Sequence, residues 1–101
     1  MEVRVIQEKS PWCPGMYYDA DNNLLTLEGR SIPENPEHVY KPLKEWIKEY
    51  FMGSDSLNIK IVLEYINSGS SKHLLDILKI LTTYYRQGKN LMITWLYEED
   101  D

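Results

Sequence analysis

Tyr65-Ile66-Asn67-Ser68-Gly69-Ser70-Ser71-Lys72 joins the most regular alternating stretch of the chain to its most regular amphipathic one. Upstream, Leu57, Ile59, Ile61, Leu63 and Tyr65 alternate with Asn58, Lys60, Val62, Glu64 and Ile66. That period of two predicts a strand whose core face is Leu57 to Tyr65. Downstream, Leu74, Ile77, Leu78, Leu81 and Tyr85 recur at helical spacing, predicting a helix that ends near Gly88, after Arg86. The turn between them is almost purely hydroxyl and glycine. Gly69 permits close backbone approach and positive φ, and the helix start directs unpaired N–H groups at whatever sits there. Such a turn is a natural seat for a phosphoryl group.

Working outward, the first third reads as short strands over Glu2 to Gln7, Met16 to Asp19 and Asn23 to Glu28, with Asp21-Asn22-Asn23 turning between the last two. Two prolines and a glycine make Lys9 to Gly15 a loop, and a second loop follows Gly29. Asn35 can cap a helix whose first residue is Pro36, with Val39, Tyr40, Leu43, Trp46, Ile47, Tyr50 and Phe51 on its apolar side and a stop at Gly53. Pro42 breaks this pattern, since an interior proline removes a backbone hydrogen bond and crowds the preceding turn. It predicts a kink, or a start later than Pro36. Leu91, Ile93, Trp95 and Tyr97 mark a last strand.

Strand, helix, strand connections of this length give right-handed parallel crossovers, so the expected fold is α/β: a mixed sheet with two main helices on one face. Lys60, Val62, Glu64, Met92, Thr94 and Leu96 then line the uncovered face. At 101 residues the chain is expected to form a single domain.

Of the net charge of −5, four negative charges belong to the terminal run Glu98-Glu99-Asp100-Asp101. The basic residues of the body are scattered among acids, as in Lys44-Glu45 and Lys48-Glu49. Nucleic-acid binding needs clustered cations, so no nucleic-acid partner is expected. Apolar runs such as Ile61-Val62-Leu63 are far too short to span a bilayer. The N-terminus lacks the pattern of a secretory signal, and the single cysteine, Cys13, fits a reducing compartment. A cytoplasmic location and no membrane insertion are expected.

Catalytic and cofactor signatures are weak. His38 and His73 are far apart and neither has a partner at metal-ligand spacing, so no metal and no cofactor are implied. Ser68-Gly69-Ser70-Ser71-Lys72 lacks the spacing of a phosphate loop, and Gly69-Ser70-Ser71 lacks the second glycine of a nucleophile elbow. His73 as base to Ser70 would be the enzymatic reading, yet a histidine at a helix start is far more often a surface residue.

Three serines, Ser68, Ser70 and Ser71, compete to cap the second helix. Two details point beyond capping. No acid follows until Asp76, so the positive helix end has no resident anion, and Lys72 places a cation in the first turn, against the dipole. A phosphoryl group there would supply the missing charge.

Leu27-Glu28-Gly29-Arg30-Ser31-Ile32-Pro33-Glu34-Asn35, Trp46, Tyr65 to Lys72, Leu75-Asp76-Ile77-Leu78 and Trp95-Leu96-Tyr97 together resemble the SiaC family of bacterial regulatory phosphoproteins. The S-x-P-E-N and Y-x-N-[ST]-x-S-x-K strings, in this order and separation, carry the resemblance over nearly the whole chain. It implies a STAS-like fold, similar to anti-sigma-factor antagonists, and one phosphorylated hydroxyl at the helix head, which Ser68 matches. It also implies three partners: a Ser/Thr protein kinase, a PP2C-type phosphatase and a diguanylate cyclase bound and activated by the unphosphorylated form. Gly69 stands where many relatives have serine, which keeps Ser70 as a competing acceptor. Relatives usually continue past the acidic run whereas this sequence stops at Asp101, so the two readings are a truncated C-terminus and a naturally short protein.

The leading expectation is a non-enzymatic signalling phospho-switch, with Asn67 and Gly69 shaping the turn and Ser70, Ser71 and Lys72 holding the phosphate. The alternative is a non-catalytic small-anion or lipid-binding module of the same fold, its pocket between the helix start and Pro33-Glu34-Asn35.

Overall fold

A computed structural model describes residues 2–97. Its elements run β1 (Val3–Gln7), β2 (Gly15–Asp19), β3 (Leu24–Ser31), α1 (Pro36–Gly53), β4 (Ser56–Ile66), α2 (Ser68–Arg86) and β5 (Asn90–Tyr97). One five-stranded sheet has the order β1-β2-β3-β4-β5; β1, β2 and β3 are antiparallel, and β3, β4 and β5 are parallel. Both parallel connections are helices, which is what joining parallel neighbours requires. The helices share the face that carries Leu25, Leu27, Leu57, Ile59, Ile61 and Leu63, and these residues form one core with Leu43 and Ile47 of α1 and Leu74, Ile77 and Leu81 of α2. The acidic run Glu98 to Asp101 lies outside the described residues.

α1 begins at Pro36 and continues through Pro42, so the later start that Pro42 allowed does not occur. Asn35 caps it, its side chain accepting from the His38 N–H. Proline at the first position sacrifices an N–H that no helix could use. At the far end of α1, Tyr18, Trp46 and Tyr50 pack ring against ring with centroids 4.8–5.3 Å apart. The Tyr18 and Tyr50 hydroxyls both donate to Asn23 Oδ1, whose amide reaches back to the Ser56 carbonyl. Asn23 itself has φ of 50°, so it belongs to the turn rather than to the strand that the sequence suggested would begin there.

Several expected boundaries and facings shift. β3 runs on to Ser31, past the Gly29 at which a loop was expected, because Arg30 and Ser31 still pair with Tyr65 and Ile66 of β4. Gly29 stays in the strand with φ of +103°, a conformation available chiefly to glycine. In α2 the inward tyrosine is Tyr84, stacked on Phe51 at 4.6 Å, whereas Tyr85 faces out.

The change of phase in β4 has the largest local effect. Leu63 pairs with Gly29, but Arg30 pairs with Tyr65, so β4 takes two steps where β3 takes one. Glu64 is the extra residue, a bulge. Beyond it, Tyr65 turns outward, 50% exposed, and Ile66 turns onto the core. The expected core position of Tyr65 is thereby reversed by one residue of slip.

On the uncovered face Lys60, Glu64, Met92, Thr94 and Leu96 are exposed and Val62 is half-buried, as alternation predicts. Among the described residues no helix is long and apolar enough to cross a membrane.

Candidate functional site

Parallel strands β3 and β4 end side by side, and the chain leaves each of them to start a helix, so α1 and α2 begin at the same edge of the sheet. The bulge at Glu64 sets which way the strand end faces, and the next polar residue is Asn67. Asn67, and none of the three serines, is the N-cap of α2. Its Oδ1 accepts the Ser70 N–H at 2.8 Å and its carbonyl accepts the Ser71 N–H at 3.0 Å. Its own N–H donates to the Ser31 carbonyl at 2.9 Å, and its Nδ2 donates to the Pro33 carbonyl at 3.0 Å. A single side chain therefore caps α2 and ties it to the loop that opens α1. The amide does this with two separate atoms, its oxygen facing the helix and its nitrogen facing the loop.

Gly69 is helical, and its φ is not among the positive values in the chain. Its role is the close approach alone. A Cβ at this position would stand 2.8 Å from Pro36 Cγ, so the first turn of α2 lies directly against the first residue of α1. This contact and the Asn67 to Pro33 hydrogen bond take up the space in which a small-ligand pocket was envisaged.

The three serines separate by environment. Ser68 and Ser71 are exposed, as is Lys72, whereas Ser70 is 0% exposed. The Tyr40 hydroxyl donates to Ser31 Oγ at 2.6 Å, which donates to Ser70 Oγ at 2.8 Å. This buried chain of hydroxyls links β3, α1 and α2 directly beneath the turn. Sequence reading found Ser70 but missed Ser31 and Tyr40 as its supports. The available signal was Ser31 at the head of the S-x-P-E-N string, a polar residue at the end of an apolar strand.

His73 is no base for Ser70. Its ring stacks on Tyr40 with centroids 5.9 Å apart and an interplanar angle of 1°, and its Nδ1 lies 3.1 Å from Lys44 Nζ. An ammonium can only donate, so in this contact Lys44 is the donor and Nδ1 the acceptor. Lys44 also pairs with Asp76 at 3.5 Å, so the sole acid of α2 is turned towards α1. Among the described residues no group of His, Cys, Asp and Glu could hold a metal ion.

Burial pushes the Tyr40 phenol above its ordinary range, against the lowering influence of the serine hydroxyls beside it. Tyr18 is raised too, first by burial and then by Tyr50. A raised tyrosine keeps its proton in the folded state where the unfolded chain has released it. Stability is therefore fully present below about pH 10 and falls as pH rises beyond it. Tyr40→Phe is expected to flatten part of that alkaline decline in urea titrations run at successive pH values; a slope equal to wild type would refute the assignment.

A mixed α/β sheet domain that presents hydroxyls at the capped head of a helix is the class that fold and site define. The chain belongs to the SiaC family of regulatory phosphoproteins, whose family model matches residues 7–101. It is 27% identical over 86 residues to an uncharacterized protein, PA14_02130, of Pseudomonas aeruginosa strain UCBPP-PA14, covering 84% of this chain and 68% of that one. Apo-SiaC of Pseudomonas aeruginosa superimposes with a TM-score of 0.87 at 23% identity, covering 97% of this chain and 81% of SiaC. A crystal structure of the diguanylate cyclase SiaD in complex with its activator SiaC, from the same organism, matches with a TM-score of 0.78 at 23% identity over 84% of this chain and 70% of that one. At this identity the structural likeness establishes the fold.

Proposed function

We propose that this chain is a cytoplasmic phospho-switch: Ser68 accepts a phosphoryl group, and the unphosphorylated form binds and regulates a diguanylate cyclase. The reading rests above all on one observation, that Ser68 is an exposed hydroxyl at the first position of a helix whose first turn carries no acid. Membership of a family of regulatory phosphoproteins supports it, as does the complex of SiaC with the cyclase it activates. The chain has a regulatory role here and no catalytic one.

A Ser/Thr kinase transfers the γ-phosphoryl group of ATP to Ser68 Oγ, releasing ADP, and a PP2C-type phosphatase hydrolyses the ester back to serine and phosphate. Asn67 already occupies the N–H groups of Ser70 and Ser71, so those of Ser68 and Gly69 remain for the phosphate, with Lys72 one turn further on. The phosphate adds about −1.5 to −2 charges at the positive end of the helix, where the dipole favours them. Ser70 is held beneath the surface and cannot reach a kinase without opening the turn.

Incubation with ATP and the kinase of the source organism, followed by peptide mass spectrometry, is expected to place the phosphate on Ser68. Ser68→Ala should abolish incorporation and keep cyclase binding, while Ser68→Asp should weaken binding. Phosphate found consistently on another residue would sink the site assignment.

A further inference from the structure

α2 carries an uneven distribution of charge on its outer side. Ser68, Lys72, Leu75, Lys79, Thr82 and Arg86 are all exposed. At 100° per residue they fall within an arc of about 80°, opposite the buried Leu74, Ile77 and Leu81. At 1.5 Å per residue the stripe is about 27 Å long. It bears three cations and no acid, in a chain whose net charge is −5. The exposed surface of α1 mixes both signs, with Glu37, Lys41, Glu45, Lys48 and Glu49. The one acid of α2, Asp76, is withdrawn to pair with Lys44. Lys72, Lys79 and Arg86 have no ion-pair partner among the described residues. Solvated helices usually lace their charges into alternating pairs, so a single-sign crest calls for a reason beyond solubility.

We infer that the crest of α2 is the docking surface for an acidic protein surface of the partner, with Leu75, 53% exposed, as its apolar anchor. This rests on the phospho-switch reading and supplies its mechanism. Ser68 stands at the head of the stripe, so a phosphate there cancels roughly two of three positive charges on the surface the partner reads. Binding is then lost by charge compensation, with no change of fold. An acidic protein surface fits better than nucleic acid or a membrane: three cations are few for a phosphate backbone, one leucine is a poor insertion anchor, and the body of the protein is not basic.

The test measures binding of the full chain to a diguanylate cyclase of the source organism. Lys79→Glu and Arg86→Glu are each expected to weaken the complex by about 10-fold, since reversal removes an attraction and adds a repulsion. Lys48→Glu on α1 is expected to stay within about 2-fold. The wild-type affinity should fall by about 10-fold or more between about 50 mM and 500 mM NaCl, as the Debye length drops below the spacing of the charges. The penalty of phosphorylation should shrink over the same range. Wild-type binding with Lys79→Glu and Arg86→Glu unaffected would overturn this inference and leave the phospho-switch standing. Failure of the wild type to bind would overturn both. Cosedimentation with phosphatidylserine vesicles that is lost in the two variants would identify a membrane instead and would also overturn it.

Discussion

Replacing Asn67 with alanine is expected to cost about 2–4 kcal/mol and to lower Tm by roughly 10–30 °C. Two separate losses add. The α2 cap disappears, leaving the Ser70 N–H without its acceptor, typically about 1 kcal/mol. The Pro33 carbonyl loses its donor in a half-buried position, which costs about 1–3 kcal/mol when nothing replaces it. Each kcal/mol moves the midpoint of a domain this size by about 4–8 °C. Asn67→Asp keeps the acceptor and loses the donor, so it should fall between alanine and wild type. Thermal unfolding followed by circular dichroism decides the matter, and a loss within about 0.5 kcal/mol for alanine would show that the hydrogen bonds do not hold the two helix starts together. Because Ser68 follows Asn67 directly, the same variant should also become a poorer kinase substrate.

The second large effect separates the serines. Ser70→Asp is expected to destabilise by about 4 kcal/mol or more, because it buries a carboxylate between Ser31 and Tyr40 with no cation to balance it. Ser68→Asp, exposed at the first position of the same helix, should leave stability unchanged or raise it by about 0.5 kcal/mol. Two identical substitutions two residues apart thus differ by most of the stability of a small domain. Urea titration of both variants gives the comparison directly; equal midpoints would remove the argument that burial protects Ser70 from modification.

Much of this architecture could be read from local patterns. Leu57 to Leu63 alternate so regularly that strand and core face follow from one period, and Leu74, Ile77 and Leu81 fix the buried side of α2 in the same way. What escaped was long-range. The bulge at Glu64 is a matter of pairing with Gly29 and Arg30, far away in sequence, and nothing in Glu64-Tyr65-Ile66 announces it. The continuation of β3 through Ser31 has the same origin, since Gly29 reads locally as a strand end. At the site, serines are such good caps that local rules favoured them over Asn67. Asn67 prevails because its amide can satisfy a carbonyl of the preceding loop as well as an N–H of its own helix. Ser70 looked interchangeable with Ser68 for a related reason: its burial depends on Ser31 and Tyr40, which only the folded chain brings to it.

The extra residue in β4 also bears on which changes the sequence can absorb. The Glu64 side chain is exposed and its ion pair with Arg30 spans 3.5 Å between two half-exposed groups, so its identity contributes little. Removing the residue would leave Leu63 opposite Gly29 and Tyr65 opposite Arg30 in a regular ladder, with Tyr65 still facing out and Ile66 still on the core. Position 64 is therefore permissive to substitution and to deletion alike: what it contributes is a local kink in β4, and the residues that lead into α2 keep their partners without it.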